Sequence, residues 1–200
     1  MPSINLDITH RCTLQCSRCW RKYYDTVGEK VPGHDMTMEE YAKIIDYFDD
    51  IIFCGNISDP IFHPQFPQML QMVHQCEVHT AASHKPDAWY DIAFDANKNA
   101  QWIFGIDGLP KDSHKYRVNQ DGEKLYRMMT KAAKAGIQTW WQYIVFNYNE
   151  DDIDEAIQMS KDIGVKFRLI ESSRFKDNDP MRPSKHYIER NYEEFKTKMS

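Results

Sequence analysis

No run of apolar residues in this 200-residue chain exceeds a few positions, so no helix predicted from it is long enough to cross a bilayer. An excess of positive charge is missing too. Lys and Arg number 25 against 30 Asp and Glu, for a net charge of −5, which excludes general nucleic-acid binding or attraction to an anionic membrane. The chain starts directly in a strand pattern, with no charged-then-apolar leader. Cysteine is scarce: there are five, an odd number, and three of them are bunched together, which is not a disulfide framework. A cytoplasmic, reduced setting is the expectation. No low-complexity tract or linker interrupts the chain, and its length suits one domain with a substantial core.

What is present is a regular alternation of strand and helix patterns. Ile4 to Thr9 alternates apolar and polar and predicts the first strand. Thr37 with Glu40 forms a capping-box pattern, opening a helix with Tyr41, Ile44, Ile45 and Phe48 on one face. Further strands are predicted over 51–54, 77–80, 102–106, 139–146 and 165–170, with helical patterns between them. Gly136 and Gly164 end two of those helices. Six strands alternating with helices predict parallel pairing through right-handed crossovers. A closed eight-stranded barrel typically takes about 250 residues. The expectation is therefore an α/β fold, an open, partial (β/α)6 TIM-like barrel over 1–175. The polar stretch 20–35 predicts a surface loop. Over 176–200, a loop through Pro180 and Pro183 leads to a predicted amphipathic helix carrying Tyr187, Ile188, Tyr192, Phe195 and Met199. Packed on the core, that helix would cover the open edge or act as a lid.

Cys12, Cys16 and Cys19 directly follow the first strand. Thiolates are soft donors that select iron–sulfur clusters, zinc or copper(I). A zinc site wants a fourth protein ligand. Cys54 and Cys76 are isolated, which leaves His10 or His34 to complete one. Three thiolates without a fourth ligand suggest instead a four-iron cluster with one iron open. A non-catalytic module with a structural cluster or zinc is the competing class.

The three-cysteine spacing resembles the signature of the radical S-adenosylmethionine (radical SAM) enzymes. The resemblance implies that Cys12, Cys16 and Cys19 hold a [4Fe–4S] cluster whose open iron chelates S-adenosyl-L-methionine (SAM). An external electron donor, flavodoxin- or ferredoxin-like, would reduce the cluster. Cleavage of SAM would then give methionine and a 5′-deoxyadenosyl radical that abstracts hydrogen from a substrate the sequence does not name. A peptide- or protein-modifying member is the second form of this reading.

The ends of the other strands carry further matches, since ligands of parallel α/β folds sit beyond the carboxyl ends of strands. Gly55-Asn56-Ile57-Ser58-Asp59-Pro60 resembles the family's Gly-Gly-Glu-Pro stretch, with Asn56 and Asp59 as departures. Asn56 or Asp59 is expected to replace the missing glutamate toward the SAM ammonium; read without the family, the loop is a good turn. Thr80 and Ser83 occupy the place of the family's Thr-Asn-Gly segment. Gly105-Ile106-Asp107-Gly108, followed by His114, Tyr116 and Arg117, resembles a Ser-Ile-Asp-Gly…His-x-x-Tyr-Arg segment whose arginine pairs with the SAM carboxylate. A planar guanidinium suits that task. Gln142 offers an amide to the ribose hydroxyls, and Trp20 offers a ring to adenine. Arg174 stands at the predicted barrel mouth, where it would meet a substrate anion. Cys54 reads as a buried thiol, and Cys76 has no assigned role.

Overall fold

The computed structural model describes residues 2–187 and 190–192. One seven-stranded sheet organises them, in the order β1 (Ser3–Leu6), β2 (Asp50–Phe53), β3 (Cys76–Thr80), β4 (Gln101–Gly105), β5 (Thr139–Val145), β6 (Lys166–Glu171) and β7 (Arg190–Tyr192). The first six pair in parallel, each with its neighbour in sequence, and β7 runs antiparallel to β6. Strand order that follows chain order is what one-directional crossovers produce. The expected open partial barrel is the observed fold.

Helices α2 (Met38–Ile45), α3 (Phe66–Gln71), α4 (Asp87–Ala96), α5 (Gly122–Lys134) and α6 (Ile153–Asp162) pack on one face of the sheet. The Thr37–Glu40 capping box forms as expected, the Thr37 hydroxyl accepting from Glu40 N–H and the Glu40 carboxylate accepting from Thr37 N–H. Alternation along each strand sorts the residues. Phe53, Val78, Phe104, Trp141, Tyr143 and Phe167 are wholly buried in the main core. Their alternates Cys54, His79, Ile103, Gln142, Ile144 and Ile170 line a cavity on the other face. The aromatic fifth strand is thus wall and core.

Two expectations change. Within 20–35, residues Arg21–Val27 form a short helix, α1, rather than loop. None of its residues is buried, so the apolar periodicity that marks a packed helix was never there to be read. In the tail, Arg190–Tyr192 is strand rather than helix, and the remainder of the expected final helix lies outside the described residues. The physical reason is the open edge: β6 presents unpaired backbone groups there, and pairing with β7 satisfies them. β7 stands at the edge that the helix was expected to cover.

Candidate active site

The cysteine loop leaves β1 and is held from three sides. Leu14, Cys16, Ala81, Tyr116 and Phe146 form a second apolar cluster, with Cys12, Cys19, Phe175 and Met181 packed against it. Tyr116 and Phe146 rings lie 4.3 Å apart beneath the loop. Arg21 donates through Nη1 to the carbonyls of His10 and Ile57, each at 2.7 Å, tying the loop to the turn after β2. Arg18 makes a two-pronged ion pair with Asp179, at 2.7 and 2.6 Å, tying it to the tail.

The three thiols border two adjoining hollows. One, of about 280 Å³, is enclosed by the loop itself with Arg21, Lys22 and Asp25. The other is the barrel cavity, of about 390 Å³. Cys12, Cys16 and Cys19 line both. A cluster held at three corners, with its fourth turned toward a second ligand, needs that arrangement of donors. Burial pushes the Cys12 thiol up to about 12 and raises Cys16, so cluster formation must displace protons from the bare loop. Of the two histidines named for a zinc site, His34 is engaged elsewhere, hydrogen-bonded to Glu40, whereas His10 Nδ1 is buried without a hydrogen-bond partner among the described residues.

Arg117 lies against the cysteines. Its Nε donates to the fully buried Asp107 carboxylate at 2.7 Å, and its positive charge acts on the nearby Cys16 thiol. Burial works against this charge, but Asp107 and Cys16 outweigh it and hold Arg117 above the ordinary guanidinium range. Asp107 also accepts from Ile144 N–H at 2.8 Å, which locks it between β4 and β5; burial raises its carboxyl, with Arg117 pulling it down. Asp107 therefore acts through Arg117 and does not itself line the cavity. Gly105 makes room for this pair: a Cβ there would stand 2.9 Å from an Arg117 terminal nitrogen and 3.2 Å from its guanidinium carbon. Gly105→Ala is expected to displace the guanidinium and weaken SAM binding while iron content stays at the wild-type level. Arg117→Lys, which keeps the charge and loses the fork, should do the same. SAM titration into cluster-loaded protein reads both; wild-type affinity in the pair would remove Arg117 from the site.

The loop after β2 is built differently from its sequence expectation. Gly55 must be glycine, because any Cβ would run into the backbone and side chain of Ser58. Asp7, unmarked in the sequence, accepts from Asn56 N–H at 2.9 Å and from the Ser58 hydroxyl. The Asn56 side chain borders the cavity with no hydrogen-bond partner among the described residues. Asp59 is 5 % exposed, and its carboxylate accepts from the Thr80 hydroxyl and from Ile61, Ala81 and Ala82 N–H groups. It holds the end of β3 and also borders the cavity. Thr80 borders the cavity with its hydroxyl turned to Asp59, whereas buried Ser83 accepts from Asp121 N–H at the start of α5, away from the cavity. Gln142 and Arg174 border the cavity. Trp20 does not: it is 61 % exposed and precedes α1 outside the cavity wall. Cys54 also departs from expectation, since it opens onto the cavity beside His79.

Fold and site together define a partial parallel barrel with three thiols and an arginine gathered at one mouth. Residues 6–160 match the family model described as the radical SAM superfamily, and the chain belongs to that superfamily of enzymes. A tungsten-containing aldehyde ferredoxin oxidoreductase cofactor-modifying protein of Pyrococcus furiosus is 32% identical over 78 residues, 36% of this chain and 20% of that protein. Streptococcus suis SuiB bound to its precursor peptide SuiA superposes with a TM-score of 0.72 at 10% identity, over 92% of this chain and 42% of that one. Methylornithine synthase (PylB) superposes with a TM-score of 0.61 at 15% identity, over 84% of this chain and 52% of that one. The chain thus spans a fifth of the matched Pyrococcus protein and about half or less of these structures. Among the described residues no helix is long and apolar enough to cross a membrane.

Proposed function

We propose that residues 1–175 are the catalytic core of a radical SAM enzyme, in which Cys12, Cys16 and Cys19 hold a [4Fe–4S] cluster and SAM occupies the adjoining cavity. The observation that carries this is the shared border: the same three thiols line the loop hollow and the barrel cavity, with Arg117 held beside them by Asp107. Bound there and reduced by an external flavodoxin- or ferredoxin-like donor, the two cofactors would supply a 5′-deoxyadenosyl radical. The chain's own residues do the positioning. Arg117 presents charge and a planar fork to the SAM carboxylate. Asn56 offers its free side-chain oxygen to the ammonium, since the Asp59 carboxylate is already engaged. Gln142 faces the ribose, and apolar Ile103, Ile144 and Ile170 keep water from the reacting region. Arg174 at the mouth meets an anionic group of the substrate. Anaerobic reconstitution with iron and sulfide, then dithionite and SAM, tests the reading. A brown protein that yields 5′-deoxyadenosine supports it; a protein with bound iron that leaves SAM intact overturns it.

A further inference from the structure

The barrel cavity contains a fourth thiol. Phe53 pairs in register with Val78, and one residue further Cys54 stands beside His79 on the cavity face. His79 and Cys54 line the same cavity side by side, and the His79 Nε2 lies 3.1 Å from Glu77 Oε2. Burial works against a charge on this imidazole, but the neighbouring Cys54 and Glu77 outweigh it and lift His79 to about 9. Glu77 is held low by its hydrogen bond to His79, with Arg168 on the neighbouring side contributing the same way. Glu77 and His79 thus form a hydrogen-bonded pair beside the Cys54 thiol on the cavity wall. Ile103, Gln142 and Ile170 line the same cavity. Cys76, the remaining thiol outside the cluster loop, is 4 % exposed and packed in the helix-side core.

We propose that Cys54 is a hydrogen-atom donor to carbon-centred radicals formed in this cavity. The inference rests on the radical reading above. The S–H bond of a thiol is weaker than an ordinary aliphatic C–H bond, so transfer to an alkyl radical runs downhill. In the step, the Cys54 S–H bond breaks homolytically and a new C–H bond forms, leaving a sulfur radical. That radical is reset by one electron from the external one-electron donor and one proton from the His79 imidazolium, which regenerates the thiol. Glu77 keeps the imidazole aimed at the sulfur.

The test needs no substrate, because the nucleoside radical itself can be quenched by the floor thiol. Cluster-loaded chain is given SAM and dithionite in heavy water without added thiols, and the 5′-deoxyadenosine is weighed by mass spectrometry. Wild-type product is expected to carry solvent-derived deuterium, and that label is lost in Cys54→Ala and Cys54→Ser. In His79→Gln the first equivalent keeps its deuterium and later equivalents lose it. A second readout is independent of turnover. With three thiols committed to iron and Cys76 buried, iodoacetamide should modify the peptide carrying Cys54, and an unmodified Cys54 overturns the inference. Unlabelled wild-type nucleoside, or equal label in the Cys54 variants, overturns it while leaving the radical reading intact. No nucleoside at all, from a sample with about four irons per chain, removes both.

Discussion

Cys12→Ala, Cys16→Ala and Cys19→Ala should each lose the cluster and SAM cleavage together. The loop hollow is bordered by three thiols, and the further polar side chains around it are Arg21, Lys22, Thr13, Gln15 and Asp25, none of them a soft donor. Cys54 borders the barrel cavity but not the loop hollow, so Cys54→Ala should keep the wild-type iron content. Cys76 is sealed in the core, so Cys76→Ala should keep the wild-type iron content. No cysteine follows Cys76, and the reconstituted chain should hold about four irons and not eight. Iron and sulfide assays on anaerobic samples check both halves. Wild-type iron in Cys16→Ala would mean the ligand set is wrong.

The second large effect is on stability and comes from Asp59. Its carboxylate accepts from Ala81 N–H at 2.8 Å, Ala82 N–H at 3.0 Å, Thr80 Oγ1 at 2.9 Å and Ile61 N–H at 3.3 Å. Asp59→Ala strands these donors at the buried edge of the cavity. An unmet buried donor costs about 1–3 kcal/mol, so a loss of about 3 kcal/mol overall is expected. For a domain of this size that corresponds to a drop in Tm of about 6–12 °C. Asn56→Ala, at an exposed position whose structural bond is made by backbone, should change Tm little. Thermal unfolding of the two variants side by side separates frame from ligand contact. An Asp59→Ala protein as stable as wild type, with weakened SAM binding, would restore the carboxylate to the SAM site.

The strand–helix order and the cysteine loop were legible because each is written locally. Alternation, capping and a three-residue spacing are properties of short stretches. The tail was misread for the opposite reason. Tyr187, Ile188 and Tyr192 have helical spacing, but the unpaired edge of β6 is a tertiary fact that decides Arg190–Tyr192. Asp59 stood in the right loop, yet which way a carboxylate turns depends on Thr80, Ala81 and Ala82, some twenty residues away. Asp7 carried no signal, being one polar residue at the end of a strand pattern. His79 and Glu77 could have been found: alternation along β3 puts both on the face opposite the buried Val78, next to Cys54.

The Arg18–Asp179 clasp also bears on how the chain is made. The two residues are separated by 161 positions, and closing a loop that long costs little more in entropy than closing a much shorter one. The separation matters in time instead. At synthesis rates of about 5–20 residues per second, Asp179 emerges roughly 8–30 s after Arg18. For that interval the flank of the cysteine loop formed by Asp179 and Met181 is missing, while Cys12, Cys16 and Cys19 have already left the ribosome. Nascent thiols are therefore open to iron and sulfide carriers, and to oxidants, before the clasp closes beside them.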